Sequence, residues 1–315
     1  MGMQISLSET VDRLKQAQSV IITAHVSPDG DALGSTLALR ALMRKMGKQA
    51  EVVIDDKLPK NMAFLPGYDE ILRPADYKGN ADMLIIADTD SSRIEGVAEI
   101  AKGLPILNID HHISNNGEAD YILLEKRAAA SEMVYEIVTE LGAELTLDIA
   151  LPIYTGLATD TGFFKFSNTK ASTMHAAAVL IEAGVQPHVV SEAIEAKPAE
   201  LVHAQMEALE TMEIAANGRI AGLFLGHELM EHIESTDGFI DMVRVIEGVD
   251  VAVLVKCVDE KVCRVSMRSK DIDVRKIAES FGGGGHIRAA GCTLNMELPE
   301  AKATLLAAIE RALPA

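Results

Sequence analysis

Short, unbroken apolar runs alternate with stretches of helical period through the first half of the chain. Residues 19–25 (SVIITAH), 50–55 (AEVVID), 82–88 (DMLIIAD) and 105–110 (PILNID) read as buried strands. Apolar residues recur at helical spacing over 33–47, 129–142, 147–158 and 171–184, and the first of these stretches stops at Gly47. Continuous Ile/Val/Leu strands separated by helices predict an α/β fold with a doubly wound parallel sheet covered on both faces. Beyond Gly184 the pattern changes. Residues 185–200 carry two prolines and alternating charge and read as an inter-domain connection. A helix over 200–213, a strand over 219–226, a hairpin over 250–269 and a helix over 273–282 follow. A glycine-led tract over 282–296 and a closing helix from Pro299 complete a smaller α+β domain with a mixed sheet. The expected boundaries are 1–185 for the first domain, 186–198 for the linker and 199–315 for the second.

Composition narrows the partners. In 315 residues, 48% hydrophobic and 24% charged, there is apolar mass for two cores. Lys plus Arg number 29 and Asp plus Glu 47, a net charge of −18. Such a chain repels phosphate backbones over most of its surface, which argues against tight binding of long nucleic acid in a basic track. Aromatics are 4% and Trp is absent, so stacking platforms for single-stranded bases are few. Cys257, Cys263 and Cys292 are an odd number without CxxC spacing and read as reduced thiols, not a disulfide framework or a zinc site. No signal-like apolar core and no membrane-length apolar run is seen, so the expectation is a soluble, cytoplasmic protein without a membrane partner.

Acids and histidines collect where the predicted strands end. The first strand runs into His25, Asp29 and Asp31, the third ends at Asp88, and the fourth runs into Asp110, His111 and His112. Asp160 follows a predicted helix. Ligands of parallel α/β sheets bind beyond the carboxyl ends of the strands. Carboxylates gathered there without a cation would repel and raise one another's pKa. A divalent metal removes that penalty, and mixed carboxylate/imidazole ligation suits Mn²⁺ or another borderline cation. Two ions about 3.5–4 Å apart need roughly six ligands including a bridging carboxylate, and His25, Asp29, Asp31, Asp88, His111 and Asp160 meet that need. A lone Asp after a strand ordinarily caps a helix or forms a turn, as Asp90 and Asp120 are read to do and as Asp31 could do for a helix starting near Leu33. Convergence of four segments on one edge is what points beyond capping.

In the glycine tract, four consecutive glycines leave no side chains over the backbone N–H groups, so a phosphate can approach; the alternative is a flexible hinge. Gly283, Gly284 and Gly285 lead into His286 and Arg288. Arg268, at the end of a predicted strand, is placed to grip a phosphate or to serve as a surface ion-pair partner.

The segments HVSPDGDALGS, ADTD, IDHHISN and GLATDTGFFKFSNT resemble, in order, the four motifs of the DHH phosphoesterase superfamily. VSMRS and GGGGHIRAAG resemble the nucleotide-binding signature of its DHHA1 domain. The resemblance spans essentially the whole chain and is closest to the stand-alone nano-RNase/pAp-phosphatase type. It implies an N-terminal DHH domain and a C-terminal DHHA1 domain. It also implies hydrolysis of short oligoribonucleotides to mononucleotides and of 3′-phosphoadenosine 5′-phosphate (pAp) to AMP. His25 and Asp29 would hold one Mn²⁺; Asp31, His111 and Asp160 the second; Asp88 would bridge. Asp110 would orient His111, and His112 would touch the scissile phosphate and protonate the leaving oxygen. A hydroxide between the metals would attack phosphorus in line. In the DHHA1 domain, Arg268, the glycines and His286 would clamp substrate. Mg²⁺ and Co²⁺ are alternatives to Mn²⁺, and a homodimer is left open. The competing readings are a cyclic or linear dinucleotide phosphodiesterase, a pyrophosphatase, and a nucleotide-binding module without turnover. Histidine ligands must be neutral to bind metal, so activity is expected to fall below about pH 6.

Overall fold

The computed structural model describes residues 2–314 except 234 and 237. The chain forms two compact units, Met1–Ala196 and Lys197–Ala315.

The first unit runs β1 (Met3–Gln4), α1 (Leu7–Gln16), β2 (Ser19–Thr23), α2 (Gly30–Lys45), β3 (Gln49–Val52), β4 (Met83–Ala87) and α3 (Gly96–Ile100). It continues with β5 (Ile106–Asp110), β6 (Tyr121–Leu124), α4 (Ala130–Glu140), α5 (Leu147–Asp160), α6 (Ala171–Glu182) and α7 (Pro187–Glu195). The six strands make one sheet in the order β1-β6-β5-β4-β2-β3, every pairing parallel. Every residue of β4 is buried, which is why this sheet reads as solid apolar runs instead of alternation. The strand order reverses at β2, whose neighbours are β3 on one side and β4 on the other. That reversal opens a crevice beyond the ends of β2 and β4.

Over this sheet α2 is buried along most of its length and lies against α5. The two backbones approach at glycine: a Cβ on Gly34 would stand 2.4 Å from the Pro152 carbonyl oxygen. Three elements were not marked by apolar pattern. α1 buries little besides Val11 and Leu14 and is announced by its capping box, Ser6 Oγ accepting from Glu9 N–H and Ser6 N–H donating to Glu9. β1 has two residues and β6 four, too few for a periodic signal.

Residues 186–198, read as a connection, are largely helix instead. α7 buries Val190 in the first unit's core, so that unit extends to Ala196. α2 also starts earlier than expected, at Gly30, with Asp29 and not Asp31 as its cap.

The second unit runs α8 (Ala199–Glu210), β7 (Met212–Ala215), β8 (Ile220–Leu225), α9 (His227–Met230), α10 (Phe239–Arg244), β9 (Val251–Asp259) and β10 (Val262–Ser269). α11 (Val274–Ser280), β11 (Gly284–His286), β12 (Ala289–Leu294) and α12 (Leu298–Ala312) close it. Its sheet is mixed, ordered β11-β12-β10-β9-β8-β7, with β8 and β9 parallel and the other pairs antiparallel. One face carries Val253, Val265 and Met267 in a core with Ile277 of α11 and Leu305 of α12. On the other face Leu223 and Leu254 pack with Phe239 and Val243 of α10.

The cysteine expectation is corrected here. Cys257 and Cys263 face each other across the β9/β10 hairpin and are joined as a disulfide, with Cα atoms 4.0 Å apart. Directly opposed strand positions place two side chains on one face at contact distance, a pairing that an odd count and missing CxxC spacing do not reveal. Cys292 is buried and unpaired. Among the described residues no helix is long and apolar enough to cross a membrane.

Candidate active site

Two strand ends, the loop after a third and one helix end deliver the acidic and imidazole groups to one place. Asp29 performs the ordinary task of an aspartate before a helix: its Oδ1 accepts from the N–H groups of Asp31 and Ala32, both at 3.0 Å. The same oxygen lies 4.0 Å from His25 Nε2.

Asp31 is buried, and among the described residues its carboxylate pairs with no arginine or lysine. It meets the N-terminus of α4: Ala130 N–H donates to Oδ2 at 2.6 Å and Ser131 N–H to Oδ1 at 2.9 Å. The N-cap of α4 is Ala129, which has no side chain able to cap, so Asp31 supplies that function from α2. Gly156 on α5 makes the space, since a Cβ there would stand 2.6 Å from Asp31 Oδ1 and 2.0 Å from Ser131 Oγ.

Asp88, the first residue past β4, has a left-handed backbone (φ 61°), which aspartate tolerates better than most residues. Its N–H donates to the Ile109 carbonyl of β5, which fixes the turn. The two carboxylate oxygens face different imidazoles: Oδ2 is 3.6 Å from His25 Nε2 and Oδ1 is 3.2 Å from His111 Nε2. His111 Nε2 also lies 3.8 Å from Asp31 Oδ2 and 3.7 Å from Asp160 Oδ2. Each of these histidines turns Nδ1 to a backbone carbonyl, His25 to Val26 at 2.8 Å and His111 to Arg127 at 3.3 Å. A carbonyl only accepts, so Nδ1 carries a proton in each ring and Nε2 is presented to the carboxylates.

Charge runs through the cluster in a consistent direction. Burial raises the pKa of Asp88, but the facing imidazoles of His111 and His25 outweigh it and hold the carboxyl at about 2. Burial lowers that of His111, yet Asp88, Asp31 and Asp160 push it up to about 10. Asp160 is raised to about 6, by burial first and with Asp88 and Asp29 adding to it. Burial, then Asp88 and Asp160, push the Asp31 carboxyl up. Four carboxylates thus share two imidazoles and strain against one another's charge.

Three sets of ligand atoms fall within 4.8 Å of one another: His25, Asp29 and Asp88; Asp31, His111 and Asp160; Asp88, His111 and His112. Asp88 Oδ1 and His111 Nε2 are buried and complete no hydrogen bond among the described residues. Orphaned, inward-facing atoms in a set of carboxylates and imidazoles, with no thiolate, fit a borderline divalent cation. All six sequence-predicted ligands therefore meet in one cluster.

His112 stands at the margin of the cluster, its Nδ1 3.8 Å from Asp88 Oδ1 and 45% of its side chain exposed. Its Nδ1 is bonded to Asp110 Oδ1 at 2.8 Å, which raises its pKa. Asp110 was expected to orient His111. Instead it holds the His112 ring and accepts the backbone N–H groups of His111 and His112, while the Arg127 carbonyl orients the ring of His111. Asn115 braces the arrangement, reaching Asp110 Oδ2 at 2.5 Å and Asn108 Oδ1 at 2.7 Å. Asn115 sits in the IDHHISN segment and was open to detection. The Arg127 carbonyl and the Ala130 and Ser131 N–H groups are backbone and leave no trace in side-chain chemistry.

In the second unit the glycine tract is an edge strand, not an open loop, because Gly284–His286 pairs with β12. A Cβ on Gly283 would stand 2.2 Å from the Gly291 carbonyl oxygen, and one on Gly285 (φ 137°) 2.6 Å from that of Ala289, whereas Gly284 meets open space. Arg268 and His286 both pair with Ala289 and so lie on one face of the sheet.

Comparison with known proteins places these units. Residues 19–157 match the model of the DHH family, N-terminal domain, and residues 224–314 that of the DHHA1 domain. A Thermus thermophilus protein named bifunctional oligoribonuclease and PAP phosphatase NrnA is 33% identical over 298 residues, covering 93% of this chain and 90% of its own. A Bacillus subtilis protein of the same name is 25% identical over 295 residues, covering 91% and 93%. The crystal structure of an exopolyphosphatase-related protein from Bacteroides fragilis shares the fold, with a TM-score of 0.88 at 23% identity over 97% of this chain and 95% of that one.

Proposed function

This chain belongs to the DHH family and is a phosphoric ester hydrolase, and from that premise we propose that it cleaves short oligoribonucleotides to mononucleotides and converts pAp to AMP. The observation that carries the reading is Asp88, whose two oxygens face two different imidazoles at the switch point of the sheet. The names of the Thermus and Bacillus relatives support the pair of substrates. The net charge of −18 favours short ones, because affinity for long strands grows with the number of phosphates neutralised. We assign the protein to the cytoplasm, where RNA fragments arise.

His25, Asp29 and Asp88 would hold one divalent ion, and Asp31, His111 and Asp160, sharing Asp88, a second. Mn²⁺ is preferred on donor type, with Mg²⁺ or Co²⁺ as substitutes. Such ions, when bound, neutralise phosphoryl charge and activate water. The protein's own part begins with orientation: the Val26 and Arg127 carbonyls fix the rings of His25 and His111, and the α4 N-terminus fixes Asp31. His112, held by Asp110 through Nδ1, keeps Nε2 to donate a proton to the leaving oxygen, a role that typically contributes 10²- to 10⁴-fold. Arg268, the backbone of Gly283, Gly284 and Gly285, and His286 would hold a substrate phosphate on the second unit.

The test is parallel turnover with Mn²⁺ of a 5′-phosphorylated RNA dinucleotide, a long single strand, pAp and pyrophosphate, with Asp88→Ala as control. Fast turnover of the dinucleotide and pAp, lost in the variant, is the expected result. Turnover of pyrophosphate or of the long strand alone would overturn the substrate assignment. No turnover of any of them would point to a binding module.

A further inference from the structure

Strand register in the second unit aligns a row of polar residues on one sheet face. On β10, Cys263, Val265 and Met267 point into the core with α11 and α12, so Arg264, Ser266 and Arg268 point the opposite way. Cross-strand partners extend the row. Arg264 pairs with Lys256 and Thr293, Ser266 with Gly291, and Arg268 with Ala289, which in turn pairs with His286. α10 covers the β8 and β9 part of this face through Leu223 and Leu254, but Arg264 and His286 are exposed. Lys256, Arg264, Ser266, Gly283, Gly291 and Thr293 line a cleft of about 660 Å³.

Among the described residues Lys256, Arg264 and Arg268 form no ion pair, in a chain of net charge −18. Lys256 Nζ donates to Thr236 Oγ1 at 2.8 Å and Arg268 Nη1 to the Met267 carbonyl at 3.0 Å, both neutral acceptors. Same-face residues of a strand recur about every 6.7 Å, a spacing close to that of neighbouring phosphates along an extended nucleotide chain. Arg268 and Arg264 are two such steps apart, with the Ser266 hydroxyl between them, and Gly284 and Gly291, which pair across β11 and β12, keep the floor low enough for a backbone to lie on it.

We propose that Arg264, with Lys256 beside it, forms a second phosphate-binding subsite, which holds the distal phosphate of oligoribonucleotides longer than a dinucleotide. This rests on the proposed oligoribonuclease reading and extends it to substrate length. Arg268 and His286 would take one substrate phosphate, and Arg264, two same-face steps along the strand, would set how much each added nucleotide gains.

The experiment measures kcat/KM of the Mn²⁺-loaded full chain on pAp and on 5′-phosphorylated di-, tri- and tetranucleotides. It compares wild type, Arg264→Gln, Arg264→Lys and Arg311→Gln. The last removes the same charge from α12, on the opposite side of the sheet. Arg264→Gln is expected to lose at least tenfold more on the tetranucleotide than on pAp. Its salt dependence on the tetranucleotide should be shallower by about 0.7 in log–log slope, the value of one single-strand phosphate contact. Arg264→Lys should recover part of both, and Arg311→Gln should follow wild type. An equal loss on every substrate, or none on the tetranucleotide, would overturn the subsite while leaving the oligoribonuclease reading intact. Wild-type protein inert on every oligonucleotide but active on another phosphate ester would overturn both.

Discussion

His111 faces a different kind of oxygen at each ring nitrogen: Nε2 lies 3.2 Å from the Asp88 carboxylate and Nδ1 3.3 Å from the Arg127 carbonyl. The carbonyl fixes which nitrogen faces inward, and the carboxylates on the inward side raise the pKa of the ring and so favour a second proton there.

Metal binding should therefore release protons. His111, at about 10, is protonated at neutral pH when the site holds no cation, and Asp160, at about 6, adds a second proton on the acid side. Affinity for Mn²⁺ should rise with pH, by about tenfold per unit where one proton is displaced. Titration calorimetry at pH 7.5 in buffers of different ionisation enthalpy should give heats that diverge by one proton or more per ion bound in the His111 set, since the Asp31 carboxyl of that set is also pushed up. Identical heats in all buffers would contradict the ligand assignment.

The metal-free protein should show the opposite trend in stability. The His111 pKa in the folded state is raised above its unfolded value, so its contribution is complete below about pH 6.5 and is lost as pH rises toward about 10. Urea midpoints measured in chelator should decline across that window, and His111→Gln should flatten the decline. A midpoint rising from pH 7 to 9 would exclude His111 as the dominant group.

Asp110→Asn should separate chemistry from metal binding. Asp110 touches no atom of the two sets that would hold the ions in common with Asp88; it bonds His112 and backbone N–H groups. Metal content should stay near wild type while kcat falls by about 10²–10⁴, and the limb of the pH profile set by His112 should shift toward acid. Loss of metal along with activity would show that Asp110 acts on the ion cluster itself.

Gly156→Ala should damage the site through packing alone. The new methyl would stand 2.0 Å from Ser131 Oγ and 2.6 Å from Asp31 Oδ1, with the α5 backbone behind it. A destabilisation of about 1–3 kcal/mol is expected, with weaker metal affinity because Asp31 must move. Adding Ser131→Ala removes the closest of the three clashes, leaving the 2.8 Å contact to the residue 131 Cβ and the one to Asp31, and should recover part of the stability. A variant of wild-type stability and metal affinity would mean that α2 and α5 can separate freely.

Much of this could be read from the chain beforehand, for identifiable reasons. Parallel strands buried on both faces write themselves as solid apolar runs, and the residues that follow them, His25, Asp29, Asp31, Asp88 and His111, are polar where the sheet ends. Asp160 was legible through its motif. Hidden were contacts made by backbone: the Arg127 carbonyl on His111 and the Ala130 and Ser131 N–H groups on Asp31. The partner of Asp110 was misread because adjacent histidines in a turn give no hint of which ring folds back; Nδ1 of His112 does so. The Cys257–Cys263 bond was missed because it depends on register, which the hairpin sequence alone left undefined.

The two N–H groups that hold Asp31 come from residues 99 and 100 positions further along the chain. Closing so long a loop is among the slower steps of folding. The helices can re-form before this contact does, so hydrolytic activity should reappear after the helical circular dichroism signal in a refolding experiment, with a lag set by the docking of α4 on α2. A partly refolded chain would hold most of its helices and still lack hydrolytic activity.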